Sequence, residues 1–174
     1  MSSIDLVILG MLSEKPQSAY DLQKDVDDHH FARWTKISTP SIYRKVLQLR
    51  EKGYIRGQSV PGDRFAEKTV YSITDSGRAY FERLMHTCAA QPVPLLFDFN
   101  VVIANLNKME RPQALDLIAR LRESISASAR STRVNAERYP DIPLVGKTIF
   151  AQQELLYHSL LEWLNSFEFQ FRRE

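Results

Sequence analysis

The chain has 174 residues, of which 44% are hydrophobic and 25% charged, so it can bury one ordinary core or two small ones and is not a disordered tail. Its formal net charge of +2 is too small to indicate a nucleic-acid partner by itself. A single cysteine, Cys88, excludes an intramolecular disulfide and fits a reducing compartment. The first residues lack the features of a signal peptide and no apolar run reaches membrane-spanning length, so we expect a cytoplasmic protein without a membrane partner.

The positive charge is concentrated in one part of the chain. Between residues 33 and 68, nine Lys and Arg residues stand against three Asp and Glu residues, a local balance of +6, which leaves −4 for the rest. An ordinary solvated helix face also collects such charge. The charge distribution therefore allows a nucleic-acid surface but does not establish one.

Two helices are predicted before residue 30. Residues 4–13 are apolar on most sides, and Pro16 interrupts this first helix. Ser18 then opens a second helix, with Asp21 three positions later in the arrangement of a capping box. Leu22 and Val26 supply its inner stripe.

A third helix is predicted over residues 40–52, and it is amphipathic. Its inner face carries Ile42, Val46 and Leu49, and Gly53 is placed to end it. Thr39 can cap its first turn, and Pro40 suits the first helical position. Polar side chains are expected on the outer face: Ser41, Arg44, Lys45, Gln48 and Lys52.

A two-stranded hairpin and a fourth helix follow. The strands at 54–60 and 68–73 flank a Pro-Gly-Asp turn, and Thr74 is placed to cap the helix after them. Three helices followed by a hairpin describe a winged helix-turn-helix, in which the third helix enters the major groove of DNA. The predicted DNA contacts from the third helix are Thr39, Ser41, Arg44, Lys45 and Gln48, and those from the hairpin tip are Arg64 and Lys68.

The second half of the chain is predicted to be all helical. The breaker-rich segment 88–94 favours a DNA-binding domain at 1–87 and a helical dimerisation and effector domain at 88–174. Three helices are expected in the second domain, at 98–109, 112–139 and 144–171. The predicted fold class is therefore mainly α, with an N-terminal winged helix-turn-helix and an all-helical C-terminal domain.

The last helix carries an apolar stripe of near-heptad period, wider than one neighbouring helix would cover. We predict a homodimer that binds a palindromic DNA site. The predicted dimer contacts are Leu156, Leu160, Trp163, Leu164, Phe167 and Phe171. The alternative is that the stripe packs within the chain against residues 98–139.

Aromatic side chains of the second domain suggest a small-molecule site. Phe97 and Phe99 lie at the start of the helix predicted over 98–109, and Trp163 and Phe167 lie on the last helix. A cleft between these helices would give a small aromatic effector apolar area and stacking. The alternative is that these rings complete the core and the dimer seam.

Several short motifs of the first 85 residues match a known family. They are Ile8-Leu9-Gly10, Leu12, Ala19-Tyr20-Asp21-Leu22, Ser41-Ile42-Tyr43, Leu47, Leu49, Lys52-Gly53-Tyr54-Ile55, Tyr71, Thr74 and Gly77. This pattern resembles the PadR family of bacterial transcriptional regulators, and the helical second half is similar to its phenolic-acid-responsive and virulence-activator branch. Ala19 stands where the family commonly has glycine, and Glu67 makes the hairpin less basic than usual. The resemblance implies that Tyr20 and Tyr43 lie near DNA phosphates.

No catalytic site, metal site or cofactor is expected. The chain lacks a Gly-rich phosphate loop, a nucleophile motif and a CxxC pair. The run Asp27-Asp28-His29-His30 is consecutive, and adjacent helical side chains diverge, so it does not form a metal site without a bend. The predicted function is a sequence-specific transcriptional regulator, most simply a repressor. The alternatives are a winged-helix module that binds protein, or a ligand sensor without DNA binding.

Overall fold

The computed structural model describes residues 3–29, 31, 34–35, 41–61 and 67–173. The chain forms two compact units, Met1–Val93 and Pro94–Glu174. The first unit contains α1 (Ser3–Glu14), β1 (Gln17–Ser18), α2 (Ala19–Asp28), α3 (Ser41–Glu51), β2 (Ile55–Pro61), β3 (Glu67–Ile73) and α4 (Asp75–Ala89). The second contains α5 (Asn100–Ile103), α6 (Arg111–Arg138) and α7 (Leu144–Phe171). The predicted fold class, mainly helical with a winged-helix unit, is confirmed.

The junction between the units differs in detail from the predicted boundary between residues 87 and 88. Helix α4 continues through Ala89, and no helix or strand covers 92–97. The prolines Pro92 and Pro94 lie in this segment, where a missing N–H and a fixed φ disfavour continuation of a helix. The boundary between the compact units therefore falls in the chain between Val93 and Pro94.

The core of the first unit is built from all of its major elements. Side chains that are at most 1% exposed come from α1 (Ile8, Leu9), α2 (Leu22) and α3 (Ile42, Val46, Leu49). Ile55 of β2 and Leu84 of α4 complete the same cluster. Burying a side chain of this size contributes about 1.5–3 kcal/mol, so these contacts hold α3 firmly in place.

The hairpin was predicted correctly, and one further strand was not. β2 and β3 pair antiparallel, with Ile55 opposite Ile73 and Val60 opposite Lys68. The two residues of β1 pair with the other edge of β3, Gln17 opposite Tyr71, which gives the order β1-β3-β2. A two-residue strand is too short to show a period of two, so the sequence pattern could not reveal it.

The predicted caps are present at α2 and α4. The Ser18 hydroxyl accepts from the Asp21 amide at 3.2 Å, and the Asp21 carboxylate accepts from the Ser18 amide at 3.4 Å. The Thr74 hydroxyl accepts from the Gly77 amide at 3.1 Å. Gly53 has φ 72, the left-handed conformation expected of a glycine after α3. The predicted cap of α3, Thr39, and its neighbour Pro40 lie outside the described residues.

The second unit is dominated by α6 and α7, which pack antiparallel. Arg111, at the start of α6, donates to the Phe171 carbonyl at 2.6 Å, and Arg133 pairs with Glu154 at 3.2 Å. Arg122 forms an ion pair with Glu168 between these points. Their shared core contains Leu106, Ala114, Ile118, Ile125 and Leu164.

The prediction of one helix over 98–109 is wrong. Only Asn100–Ile103 is α-helical, and Leu106–Lys108 forms a separate 3-10 turn. Asn105 lies between them with φ −115, and its side-chain amide donates to the Val101 carbonyl at 2.7 Å. An Asn side chain that bonds to nearby backbone competes with helical hydrogen bonds, which explains the break.

The capping box at Ser18 predicts a pH-dependent effect. The hydrogen bond from the Ser18 hydroxyl, followed by smaller effects of the Ser18 amide, Lys68 and Lys15, holds the pKa of Asp21 below its ordinary value, against the effect of burial. The carboxylate therefore adds stability above its ordinary pKa, and that stability is lost as the pH falls through the lowered pKa. Ser18→Ala should raise the pKa of Asp21 and cost about 0.5–2 kcal/mol at neutral pH. Carboxyl NMR titration measures the pKa of Asp21, and urea unfolding measures the free energy of unfolding. Ser131→Ala, at an exposed residue of α6, is the control.

Gly77 predicts a large steric effect. A Cβ there would overlap the Tyr54 carbonyl oxygen and lie 2.9 Å from Ile73 Cγ1, because the first turn of α4 packs directly on that backbone. Gly77→Ala should therefore lower the free energy of unfolding by about 3 kcal/mol. Gly53→Ala is the matched control, since a Cβ meets nothing there and only the left-handed backbone costs about 1 kcal/mol. Equal losses in urea unfolding would contradict the close approach.

Candidate functional site

The exposed side of α3 is fixed by the side chains that it buries. Ile42 and Val46 are fully buried and Leu49 is 1% exposed, so the opposite side of the helix faces outward. That side carries Arg44, which is exposed, together with Tyr43 at 48% and Leu47 at 45% exposure. We call these three residues the α3 face. Apolar and aromatic groups thus stand beside a guanidinium on a rigid helix.

The predicted outward position of Lys45 is wrong. Lys45 is three residues after Ile42 and four before Leu49, so it lies on the buried side of α3. Its Nζ is 3.0 Å from Asp5 Oδ1, and the side chains of Lys45 and Asp5 are 22% and 5% exposed. The predicted contacts Ser41 and Gln48 are half-buried at the edge of the helix. The helical spacing already places Lys45 on the inner side of α3, but its charge was taken as a sign of exposure.

Asp5 was missed entirely by the sequence analysis. It is the only charged residue within the apolar part of α1, and it is 3% exposed. Its Oδ2 accepts from the Tyr80 hydroxyl of α4 at 3.3 Å. Burial, followed by the charge of Asp5, raises the pKa of Tyr80, so its hydroxyl stays protonated and remains a donor. One acidic residue in an apolar helix was the signal that could have identified it.

Strand β3 of the hairpin lies beside the first turn of α2. Lys68 Nζ is 4.0 Å from Asp21 Oδ2, with both side chains about half exposed. Tyr20, the neighbour of Asp21, is 67% exposed, so an aromatic hydroxyl and a cation are available at this edge of the unit. Arg64 and most of the hairpin tip lie outside the described residues, as does Thr39.

The predicted dimer contacts on α7 divide into three groups by burial. Leu164 is 0% exposed and belongs to the core of its own unit, so its assignment as a dimer contact is wrong. Leu160, Phe167 and Phe171 pack against the same core and are half-buried. Leu156 and Trp163 remain 39% and 38% exposed, although they are large and apolar. The intramolecular alternative therefore accounts for much of the stripe, but not for its outer edge.

One continuous row is formed by five aromatic side chains of the second unit, Phe97, Phe99, Trp163, Phe167 and Phe171. Ring centroids are 5.2 Å apart for Phe97 and Phe99, 6.0 Å for Phe99 and Trp163, and 6.1 Å for Trp163 and Phe167. The rings contact each other in sequence, so they do not form the walls of the predicted cleft. An open surface depression of about 510 Å³ lies elsewhere in the unit, beside Met109, Pro112 and Leu117.

Across the described ranges, which omit His30, no three His, Cys, Asp or Glu side chains come together as a metal site. No helix in the part of the chain that the structure describes is long and apolar enough to cross a membrane.

Comparisons with known proteins agree with the fold. Residues 8–83 match the model of the Transcriptional regulator PadR-like family. A search of curated proteins finds no match. Bacillus subtilis PadR in complex with operator DNA is 20% identical, with a TM-score of 0.80 over 98% of this chain and 99% of that one. The same protein in complex with p-coumaric acid is 17% identical, with a TM-score of 0.80 over 98% and 96%.

Two other solved structures are similar along most of their length. The PadR-like transcriptional regulator BC1756 from Bacillus cereus is 25% identical, with a TM-score of 0.71 and 98% of both chains covered. The Vibrio cholerae virulence activator AphA is 17% identical, with a TM-score of 0.68 and 94% of both chains covered. Members of the PadR-like family are transcriptional regulators and not enzymes. Residues 8–83 therefore match the PadR-like family of transcriptional regulators, and the chain has the fold of Bacillus subtilis PadR along almost its whole length.

Proposed function

We propose that this protein binds operator DNA through the α3 face and represses transcription as a homodimer. The observation that carries the proposal is the exposed Arg44 on a helix held by three almost fully buried side chains, Ile42, Val46 and Leu49. A rigid helix presents its side chains at fixed positions, which base recognition requires. Bacillus subtilis PadR, which has the same fold, was solved with operator DNA.

Each residue of the α3 face has a matching group on DNA. The Arg44 guanidinium can donate two hydrogen bonds to the O6 and N7 atoms of a guanine. Leu47 is exposed and apolar, which suits contact with a thymine methyl group. Tyr43 and Tyr20 carry exposed hydroxyl-bearing rings that suit contacts with phosphate oxygens. Ser41, Gln48 and Thr39 remain proposed contacts at the edge and start of α3.

The hairpin supplies the remaining phosphate contacts. Lys68 is about half exposed and lies 4.0 Å from Asp21, so it can exchange this weak ion pair for a phosphate. Arg64, at the hairpin tip, is proposed as a second cation in contact with the backbone. Such contacts position the protein on DNA without reading its sequence.

Two copies are proposed because one winged helix contacts few bases and phosphates. Joining two copies raises the effective concentration of the second on the same duplex, and two-fold symmetry implies a palindromic operator. The exposed apolar edge of α7, with Leu156 and Trp163, supports a contact between copies there. Leu160, Phe167 and Phe171 lie just behind this edge. A reducing, cytoplasmic setting suits the proposed role.

A small aromatic effector is proposed for the second unit. Bacillus subtilis PadR was solved with p-coumaric acid, and here Trp163 is 38% exposed within an aromatic row, between Phe99 and Phe167. A planar ligand gains area by stacking on such a ring. It changes DNA affinity only if it binds two arrangements of the protein unequally.

Arg44→Ala should weaken operator binding by about 1–3 kcal/mol and relax one base position, because it removes a base contact without touching the core. Fluorescence anisotropy on a duplex selected from a random pool measures this affinity, and Arg78→Ala, at an exposed residue of α4, is the control that removes the same charge. An Arg44→Ala variant that binds with unchanged affinity would contradict the α3 face as the reader. Wild type that binds no duplex would favour the protein-binding module or the ligand sensor.

Leu156→Glu combined with Trp163→Glu should convert dimers into folded monomers, because charges cannot be buried unpaired in an apolar contact. Sedimentation at micromolar concentration measures the mass. Leu155→Glu is the matched control, since Leu155 is 69% exposed on the adjacent side of α7. Leu164→Ala should instead destabilise the unit by about 2–5 kcal/mol through a core cavity. A monomeric wild type would refute the dimer.

Titration with phenolic acids should change the emission of Trp163 and the affinity for the selected duplex together. The Trp34→Phe variant isolates this emission, because Trp34 is the other tryptophan of the chain. Acetate serves as the control for acidity without a ring. If no phenolic acid changes both signals, the effector proposal fails.

A further inference from the structure

Asp5 connects three helices of the first unit through one buried carboxylate. Its Oδ1 is 3.0 Å from Lys45 Nζ on α3, and its Oδ2 accepts from the Tyr80 hydroxyl on α4 at 3.3 Å. The residue is 3% exposed within the apolar helix α1. Taking a carboxylate and an ammonium out of water costs several kcal/mol per ion, and only good geometry offsets this cost. An ion pair kept in such a place constrains both helices.

Lys45 is adjacent in sequence to Arg44, the residue proposed to read a base. Successive helical residues point about 100° apart, so anchoring Lys45 to α1 adds a polar constraint on the rotation of α3 to the one that its buried stripe imposes. Rotation of the helix would move Arg44 and Tyr43 together relative to the DNA. A displacement of about 1 Å is enough to spoil a hydrogen-bonded site.

We propose that Asp5 and Lys45 are positioning residues for DNA reading, whose ion pair sets the orientation of α3, and that Lys45 does not contact DNA. This inference rests on the proposed function of the α3 face. It reverses the role that the sequence pattern gave to Lys45. It also gives a role to Asp5, which no charge-based inspection for a DNA surface would select.

The alternative is that Lys45 leaves Asp5 and binds a phosphate. The two roles predict different effects of Asp5→Asn on the affinity for DNA. If Lys45 binds phosphate, Asp5 competes with DNA for it, so Asp5→Asn should leave binding unchanged or tighter. If the pair positions α3, Asp5→Asn should weaken specific binding, as Lys45→Met does.

The test uses the full chain, a duplex selected from a random pool with wild type, and a scrambled duplex of equal length. The affinity ratio of the two duplexes is the main readout, because partial unfolding lowers both affinities equally and leaves the ratio unchanged. We expect Asp5→Asn and Lys45→Met each to lower this ratio by about tenfold. Glu14→Gln, an exposed acid at the end of α1, is the charge control. Leu12→Ala, in the core, controls for lost stability.

Two further measurements separate positioning from contact. The slope of log affinity against log salt on the scrambled duplex should stay the same in Lys45→Met, whereas loss of a phosphate contact lowers its magnitude by about 0.9. The double variant Asp5→Leu with Lys45→Met replaces the ion pair by apolar packing, which buried sites often tolerate. It should recover a higher ratio than either single variant, and it keeps the test decisive if a single variant does not fold.

Three outcomes overturn the inference. The first is unchanged or tighter binding by Asp5→Asn together with a lower salt slope in Lys45→Met, which makes Lys45 a DNA ligand. The second is an equal loss on both duplexes, as in Leu12→Ala, which makes the pair purely structural. The third is an affinity ratio for the double variant that is no higher than the ratio for Lys45→Met. Failure of wild type itself to bind any duplex overturns the proposed function as well, and so is distinguishable from these three.

Discussion

Burial of three side chains on one stripe of α3 determines which residues the helix presents to solvent. Ile42, Val46 and Leu49 enter a core to which α1, α2, the sheet and α4 all contribute. Tyr43, Arg44 and Leu47 lie about 100° or more around the helix from Ile42, so they face outward when the stripe with Ile42 is buried. The hairpin and the first turn of α2 then supply a cation and an exposed tyrosine at the edge of the same unit. The chemistry available for binding therefore follows from the packing of α3.

Local signals allowed much of this fold to be predicted from the sequence. The capping box at Ser18, the cap at Thr74 and the left-handed Gly53 depend on neighbours within a few residues, so their patterns are specific. The hairpin was equally clear, because its strands flank a strong turn. The break at Asn105 was missed because the apolar pattern around it continues, and only a side-chain bond to Val101 interrupts the helix.

The errors at the candidate site have a different origin. Lys45 was placed outside because charge was taken as a sign of exposure, although its spacing to Ile42 and Leu49 puts it on the inner side. Its partner Asp5 lies on another helix, 40 positions away, and a single sequence cannot pair two such distant residues. The apolar stripe on α7 also depends on contacts with a distant part of the chain. Its period shows that it is buried, but the division between Leu164, inside the unit, and Trp163, at its edge, depends on where α6 packs.

The most direct measurement of the central claim is DNA cleavage by a reagent tethered to the α3 face. Leu47 lies one turn after Tyr43 and Arg44 on the outward side of α3 and is 45% exposed. Leu47→Cys therefore attaches the reagent to the α3 face without disturbing the core. Cys88→Ser leaves that thiol as the single attachment point. The account predicts cuts clustered within each half-site of the selected duplex, and no such cluster from Ser131→Cys on α6. Equal or scattered cleavage from both positions would contradict the claim that α3 reads the DNA.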